Sequence, residues 1–257
     1  MKYSNIISDF TWSYSRINQF EMCPYAFLLN YIKHTPKKPL FFSDYGSFIH
    51  KLIEQYLNGE FSKEELVGEY LARFKREVRG VAPNKEIFKS YFDQGLSYLS
   101  NINFPYINPL CVEHRVKFNI GDNIFTGVID CVAKDKDGIV LVDNKSRALK
   151  ARSGRKKPTK SDVELDEYLR QLYLYSIPIK DTFHCYPTRL EFNCYRTGQL
   201  ISEPFREEEL ERAKQWAVNS IETIINNEDW SPKIDFWKCR YLCDFSDECD
   251  YHAMNRE

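Results

Sequence analysis

The segment from Ile139 to Lys145 most constrains the fold, because it is rich in Ile and Val and then ends in charge. Such a segment is typical of a β-strand, in which successive side chains alternate between the two faces. In such a strand Asp143 and Lys145 point to the same face, two residues apart. A second strand-like segment, Gly127 to Asp130, ends in another carboxylate. The chain therefore predicts two buried strands that carry charged groups at their ends.

Charged groups at the ends of buried strands cost free energy unless a partner compensates for the lost water. A hard divalent cation is such a partner, because Mg²⁺ and Mn²⁺ prefer a few carboxylate oxygens and retain several waters. Asp130 and Asp143 are thus candidate ligands and Lys145 a candidate catalytic group, which indicates metal-assisted phosphodiester hydrolysis. The same residues also fit a simpler arrangement, with Asp143 and Lys145 as a strand-end ion pair and Asp130 at a turn.

The composition of the 257-residue chain fits one large globular domain, with 43% hydrophobic and 15% aromatic residues to build a core. The net charge of -1 means that any nucleic-acid surface must be local. No apolar run reaches the roughly 18 residues of a membrane span, and Met1 to Asn5 lacks an apolar signal segment. We therefore expect a cytoplasmic protein without a membrane partner. Its eight cysteines are then expected to be metal ligands or free thiols.

The hydrophobic pattern predicts an α/β protein in which helices flank a few strands. Helices are predicted at 13–33 with an interruption at Pro24, at 46–58, within 62–101, from Ser161 to about Ile177, and near 206–227. Strands are predicted at about 110–119, 124–133, 138–145 and 188–196. Ser161 and Glu164 match a capping box at a helix start. We interpret residues 1–257 as a single domain, with a helical insertion at 59–109 and a cysteine-rich tail at 230–257.

Four cysteines have a non-random spacing: Cys23 lies near the N-terminus, and Cys239, Cys243 and Cys249 fall within eleven residues near the C-terminus. Such a set can enclose either a tetrahedral Zn²⁺ or a [4Fe–4S] cluster, and spacing does not decide between them. Pro24 suits the first turn of a helix, where the Cys23 thiol would lose its proton more readily. An accidental group of thiols is the alternative. The remaining cysteines are expected to be packing residues: Cys111, Cys131, Cys185 and Cys194.

Five motifs in order resemble the PD-(D/E)xK nuclease superfamily, and specifically its RecB/AddB/Cas4-like branch with an iron–sulfur cluster. The motifs are Ser15 to Phe27 around Cys23, Gly46 to Glu54 around His50, the paired segments Gly127 to Asp130 and Val142 to Lys145, Gln171 to Tyr175, and the cysteines Cys239, Cys243 and Cys249. The resemblance spans nearly the whole chain. It implies a restriction-endonuclease-like core, a small mixed sheet flanked by helices, with a helical insertion and a C-terminal tail bound through its cysteines.

The resemblance also implies roles for the matched residues. His50, Asp130 and Asp143 would hold Mg²⁺ or Mn²⁺, with the Asn144 carbonyl as a further ligand, and Lys145 would orient the attacking water. A structural [4Fe–4S] cluster, or Zn²⁺ as the alternative, would be held by Cys23, Cys239, Cys243 and Cys249.

Several polar groups are candidates for contact with nucleic acid. Gln171 and Tyr175 lie four residues apart on a predicted helix, and Tyr168 shares their face. This face can hold a phosphate and stack on a base, or it can be a partly buried tyrosine stripe. Glu113, in the preceding strand, is either an accessory acid or part of a solvated face. Residues 147–160 carry seven basic residues and no acid, and we expect phosphate contacts from Arg147, Arg155, Lys156 and Lys157.

These patterns predict a metal-dependent deoxyribonuclease, an exonuclease that acts on single-stranded or free DNA ends. A helicase, recombination or CRISPR-adaptation protein is a further candidate partner, since the chain has no Gly-x4-Gly-Lys-Ser/Thr motif of its own. Three alternatives stay open: a non-catalytic DNA-binding module of a recombination, repair or CRISPR-adaptation complex, a zinc-stapled endonuclease, and an RNA-processing enzyme.

Overall fold

A five-stranded mixed sheet forms the centre of the fold in the computed structural model, which describes residues 3–106 and 108–253. The strands are β1 (Cys111–Ile120), β2 (Asn123–Asp135), β3 (Gly138–Lys145), β4 (Arg189–Cys194) and β5 (Gln199–Pro204). They lie in the order β1-β2-β3-β4-β5, and all neighbours are antiparallel except β3 and β4, which are parallel. The predicted mixed α/β architecture is confirmed.

Helices cover both faces of this sheet. They are α1 (Ser4–Ser8), α2 (Tyr14–Met22), α3 (Pro24–Phe27), α4 (Phe41–Leu57), α5 (Lys63–Glu77), α6 (Lys85–Ser100), α7 (Lys160–Phe183), α8 (Glu207–Ile225), α9 (Phe236–Tyr241) and α10 (Asp250–Ala253), and a π-helical turn (Leu28–Ile32) follows α3. Polar caps explain several helix starts, because the side chains of Ser13, Ser62 and Asn84 accept a backbone N–H three residues ahead.

Two hydrophobic cores form, one on each face of the sheet. The α7-side core joins α7, α8 and α2 to the face that carries Ile139 and Leu141. The α4-side core joins α4, α5 and α6 to the opposite face, which carries Val140 and Val142. Because β3 is covered on both faces, it is apolar at nearly every position before its charged end. α5 and α6 thus pack in the core against the sheet. We keep the helical insertion at 59–109 as a proposal about the sequence, and not as a separate structural unit.

The C-terminal tail packs on the segment that follows Cys23. Phe245 is buried against Tyr25, Leu28 and Leu29, and it anchors the tail in a small third core. The Tyr25 hydroxyl donates to Asp250 at 3.2 Å and so adds a polar contact to the same interface. The two ends of the described chain are therefore joined by packing.

Two helix boundaries differ from the predictions. The capping box at Ser161 is wrong, because Thr159 is the N-cap of α7 and exchanges hydrogen bonds with Asp162. The predicted end near Ile177 is also wrong, since α7 continues through Pro178 and ends at Phe183. A proline inside a helix removes one backbone hydrogen bond, but here it is buried in a helix whose packing on the sheet compensates for the loss.

Two other elements extend beyond the sequence pattern. α4 begins at Phe41, five residues before the predicted start, because Phe41 and Tyr45 are buried in the α4-side core. β5 was not predicted, because its segment is largely polar and only Ile201 and Glu203 are buried in it. Among the described helices, none has the length and apolar character needed to cross a bilayer.

Gly80 provides a test of this packing, because its backbone passes close to the start of α4. A Cβ atom at this position would lie 2.0 Å from the Phe41 nitrogen and 2.2 Å from the Leu40 carbonyl carbon. Gly80→Ala should therefore lower the free energy of unfolding by roughly 2–4 kcal/mol, measured by urea denaturation. Gly68→Ala is the matched control, since Gly68 lies in α5 with open space around it; it should raise stability by about 0.5–1 kcal/mol. Equal stability of the two variants would contradict this account.

Candidate active site

A local distortion of β1 and β2 lies at the centre of the site. Strand pairing continues on both sides of Glu113 and Asp130 and is interrupted where these two residues stand opposite each other. Glu113 has a φ of 48°, which is uncommon for a residue with a side chain, and strained backbone of this kind tends to cluster at functional sites. Ile129 and Val132 both face the α7-side core. The alternation of faces therefore slips by one residue at Asp130, which lies inside β2 and not, as predicted, at the end of a strand.

The distortion brings three potential metal ligands together. One ligand atom each from His50, Glu113 and Asp130 lies within 4.8 Å of the others. His50 Nδ1 is 3.3 Å from Asp130 Oδ2, and the backbone N–H of Asn144 donates to the same oxygen at 2.7 Å. α4 presents His50 at the rim of the sheet, because its neighbour Ile49 is buried in the core. Two carboxylates and an imidazole suit Mg²⁺ or Mn²⁺.

Asp143 and Lys145 lie beside these three residues as an ion pair. Asp143 Oδ2 is 2.7 Å from Lys145 Nζ. Lys145 also donates to Gln171 Oε1 at 3.3 Å, and Gln171 Nε2 donates to the Tyr175 hydroxyl at 3.3 Å. The Lys145 ammonium lies 5.4 Å from the centre of the Tyr168 ring. The residues of the predicted Gln-x3-Tyr motif are thus placed next to the candidate catalytic lysine.

The site concentrates negative charge. Burial raises the pKa of Asp130 to about 6, and the charge of Asp143 adds to this effect. Burial likewise raises the pKa of Glu113 to about 7, together with the charges of Asp130, Glu54 and Asp143. Burial alone would lower the pKa of Lys145, but the Asp143 carboxylate raises it above its ordinary value. Four carboxylates therefore face one ammonium, and a divalent cation would relieve their repulsion.

Tyr175 is packed too closely for base stacking. Its side chain is only 7% exposed, and a Cβ atom at Gly127 would lie 2.4 Å from the Tyr175 ring. The glycine of the Gly127–Asp130 motif thus makes room for this ring. The burial of the ring rules out base stacking by Tyr175, and its hydroxyl accepts a hydrogen bond from Gln171.

The basic loop after β3 is closed at its base by Asp162. This carboxylate accepts the backbone N–H groups of Ser153 and Thr159, each at 2.7 Å. It also accepts their hydroxyl groups. These hydrogen bonds hold the pKa of Asp162 far below its usual range. Between the two residues that Asp162 holds, Ser153 and Thr159, three basic residues lie on the exposed turn of the loop: Arg155, Lys156 and Lys157.

The other arginines of the basic segment make ion pairs with the protein itself. Arg147 pairs with Glu164. Arg152 pairs with Asp166 at 2.7 Å and with Glu203 at 3.0 Å. Arg147 would therefore have to exchange a protein carboxylate for a phosphate, whereas the exposed loop residues would not.

The four spaced cysteines lie near one another. Burial raises the pKa of Cys243 to about 11, and the neighbouring thiols of Cys23, Cys239 and Cys249 raise it as well. Cys23 is the N-cap of α3, and its sulfur accepts a backbone N–H at 3.5 Å. The four thiols are neighbours and form a candidate site for Zn²⁺ or a [4Fe–4S] cluster, although among the described residues no three of the sulfur atoms lie within 4.8 Å of one another.

The other cysteines were predicted to be packing residues, and this holds for Cys131 and Cys194, which are buried. Cys111 is half-buried at the start of β1. The prediction is wrong for Cys185, which is exposed because it follows the end of α7.

The chain belongs to the PD-(D/E)XK nuclease superfamily, whose family model matches residues 11–250. A crystal structure from Eubacterium rectale, of a protein provisionally described as an exonuclease, aligns with a TM-score of 0.55 at 9% identity. The alignment covers 99% of this chain and 91% of that chain. The structure of SSO0001 aligns at 18% identity over 80% of this chain and 98% of that chain, but its TM-score of 0.31 is too low to carry an argument. No curated protein matches the sequence.

The superfamily is thus confirmed, and the RecB/AddB/Cas4-like branch stays a prediction. The structure places Glu113 with His50 and Asp130, whereas its alternation with Arg115 and Lys117 in the sequence is equally typical of a solvated strand face. Its place opposite Asp130 follows from the antiparallel register of β1 and β2, which a single sequence does not reveal.

The crowding of carboxylates predicts a pH dependence of stability in EDTA. The pKa values of Glu113 and Asp130 are raised above the usual 4.5 and 3.8, so folding favours their protonated forms. Their contribution to stability is full below about pH 4 and is lost as the pH rises through 6 and 7. Urea denaturation should therefore show a falling free energy of unfolding from pH 5 to about 7.5, and Mg²⁺ should restore it.

Glu113→Gln should flatten this dependence, whereas Glu228→Gln, at an exposed loop position, should leave it unchanged. A slope that is the same in Glu113→Gln and in the unaltered protein would refute the assignment of the charge cluster.

Proposed function

We propose that the protein is a Mg²⁺- or Mn²⁺-dependent deoxyribonuclease, acting as an exonuclease on single-stranded or free duplex ends. The observation that carries the proposal is the convergence of His50, Glu113 and Asp130 beside the Asp143–Lys145 pair. Membership of a nuclease superfamily supports the reaction class, and the exonuclease description of the Eubacterium rectale protein is in line with the proposed mode of action.

The carboxylates and the imidazole of the site are the proposed ligands of the cation. His50, Glu113 and Asp130 would bind it through an imidazole nitrogen and carboxylate oxygens, and the Asn144 N–H keeps the Asp130 carboxylate in position. Asp143 Oδ2 contacts Lys145, and we assign its other oxygen to the ligand set. When bound, the cation supplies Lewis-acid activation of water and of the phosphodiester.

Lys145 is the proposed electrostatic catalyst. Its pKa is raised by the Asp143 carboxylate, so the amine carries a full positive charge at neutral pH. An ammonium at this position donates to the phosphate oxygens on which negative charge develops during cleavage, and orients the attacking water. Gln171 accepts a hydrogen bond from Lys145 and so fixes the direction of the ammonium.

Binding of DNA is proposed for the groups that surround this centre. Gln171 and the Tyr175 hydroxyl lie within reach of a phosphate beside Lys145, and Tyr168 borders the ammonium. The exposed turn of the basic loop would contact phosphates more distant from the cleaved bond, as would Arg147 once it leaves Glu164. The contacts with the DNA backbone are assigned to Arg147, Arg155, Lys156 and Lys157.

We also propose that the four neighbouring thiols hold a structural [4Fe–4S] cluster, with Zn²⁺ as the alternative. The cysteines connect the segment around α3 with the tail, where packing of Phe245 already joins the two. A group bound there would close almost the entire chain into a loop and stabilise the fold.

Two substitutions test the catalytic assignment. Asp130→Asn and Lys145→Met should each lower the rate of cleavage of end-labelled DNA by at least ~100-fold in Mg²⁺ and in Mn²⁺, because each removes a charge that the transition state needs. Asp122→Asn and Lys136→Met make the same chemical changes at exposed strand turns, and should cleave like the unaltered protein. End-blocked DNA should be resistant, and labelled RNA serves as the competing substrate.

Undiminished cleavage by both site variants would remove the assignment. DNA binding by the unaltered protein without cleavage in either metal would instead favour the non-catalytic DNA-binding module.

Metal analysis after anaerobic purification tests the cysteine site. We expect about four iron atoms per chain and broad absorption near ~400 nm. Cys249→Ser should lose most of this iron, whereas Cys185→Ser, which alters an exposed cysteine outside the set, should retain it. One zinc atom per chain in place of iron would overturn the cluster and support the zinc alternative.

A further inference from the structure

A polar cavity of about 520 Å³ lies beside the proposed active site, between α6 and the turn that joins β4 to β5. Its size is suited to one nucleotide or a comparable small molecule. None of the residues that line it is used in the proposed cleavage reaction. The side chains that decide its chemistry are Gln94, Tyr98, Asn101, Asn103, Asn193 and Arg196.

The lining combines amide and hydroxyl groups with a single cation. Amides present a donor and an acceptor side by side, which is the arrangement found on the edges of nucleobases. Within the part of the chain that the structure describes, no carboxylate lines the cavity. An anionic ligand would therefore meet no direct repulsion there.

Asn193 gives the cavity a built-in acceptor. Its side chain is buried, with only 7% of the residue exposed, and its Nδ2 donates to the Tyr98 hydroxyl at 2.8 Å and to Asn144 Oδ1 at 2.7 Å. Both hydrogen bonds fix the orientation of the amide. Among the described residues its Oδ1 receives no donor, so a ligand with an amino or imino group would complete its hydrogen bonding.

Arg196 is held in place by three contacts with the protein. Its Nε donates to Gln94 Oε1 at 2.7 Å, and its Nη1 donates to the Ser146 carbonyl at 3.4 Å. The guanidinium also stacks on the Tyr91 ring, 3.5 Å from the ring centre. These contacts make Arg196 part of the wall and use two of its five N–H donors, so a ligand in the cavity would meet the remaining donors together with the neutral amides.

The cavity is connected to the active site through Asn144. The Asn144 side chain accepts from Asn193, while its backbone N–H donates to Asp130. On the same side, the Tyr195 ring lines the cavity and lies 6.1 Å from the His50 ring, measured between ring centres. A group bound in the cavity is thus separated from the proposed ligands of the cation by a single intervening residue, Asn144.

We propose that this cavity binds the base of the nucleotide adjoining the cleaved phosphodiester. The inference rests on the proposed nuclease function and specifies its substrate as an unpaired nucleotide. A base can offer its hydrogen-bonding edge to the amides only when it is not paired with another strand. Cleavage would therefore require a single-stranded or frayed end.

Deoxynucleoside 5′-monophosphates test the cavity without cleavage, because they contain no phosphodiester. The unaltered protein is titrated in EDTA with each of the four compounds, and with deoxyribose 5-phosphate as the control that lacks a base. Saturation-transfer NMR should show the strongest saturation on the base protons. At least one nucleotide should bind roughly tenfold more tightly than deoxyribose 5-phosphate, which corresponds to about 1.4 kcal/mol.

Two tryptophan substitutions on the same helix locate the binding. Ser97→Trp places a large ring at the exposed rim of the cavity, and should weaken nucleotide binding roughly tenfold by filling the space. Ser90→Trp changes an exposed serine of α6 about two turns away, and should bind like the unaltered protein.

The outcomes separate this inference from the nuclease proposal. Nucleotide binding that Ser97→Trp removes supports the cavity even if the unaltered protein cleaves no DNA. Normal cleavage by the unaltered protein, with no nucleotide binding and with the same rate in Ser97→Trp, overturns the cavity and leaves the nuclease intact. Equal affinity for deoxyribose 5-phosphate and all four nucleotides overturns the assignment of a base.

Discussion

Repulsion between carboxylates held on three adjacent strands is the constraint on which the site depends. The raised pKa values of Asp130 and Glu113 indicate that the folded protein disfavours their ionised forms relative to the unfolded chain. The fold nevertheless holds them together, because both lie in strands whose apolar residues are buried in the two cores. Free energy gained from packing thus offsets the local cost of the charges, and a divalent cation is the species that would reverse this cost.

β3 connects the parts of the site because successive residues serve different neighbours. Asp143 and Lys145 face the helix that carries Gln171, whereas Asn144 lies between them and points to the other side. Asn144 bonds Asp130 through its backbone and Asn193 through its side chain. The proposed metal site, catalytic lysine and base cavity therefore share one short segment, and a displacement of that segment would affect all of them.

The basic residues of the segment 147–160 fall into two groups. Some form ion pairs within the protein, and others are exposed. Arg152 is held by Asp166 and Glu203, so it contributes to packing between α7 and β5. The turn around Lys156 is exposed, and Asp162 closes its base. A loop that is fixed at both ends loses less conformational entropy when it binds a phosphate backbone than a free segment would.

The sequence by itself determined the strand that ends in Asp143 and Lys145, the helix that carries His50, and the superfamily, because these follow from local periodicity and ordered motifs. Only the tertiary structure decided that Glu113 joins Asp130 and that the Tyr175 ring is buried against Gly127. Those facts depend on strand register, on a left-handed residue in β1 and on how α7 crosses the sheet. Such features arise from contacts between distant segments, which the pattern of any one segment does not contain.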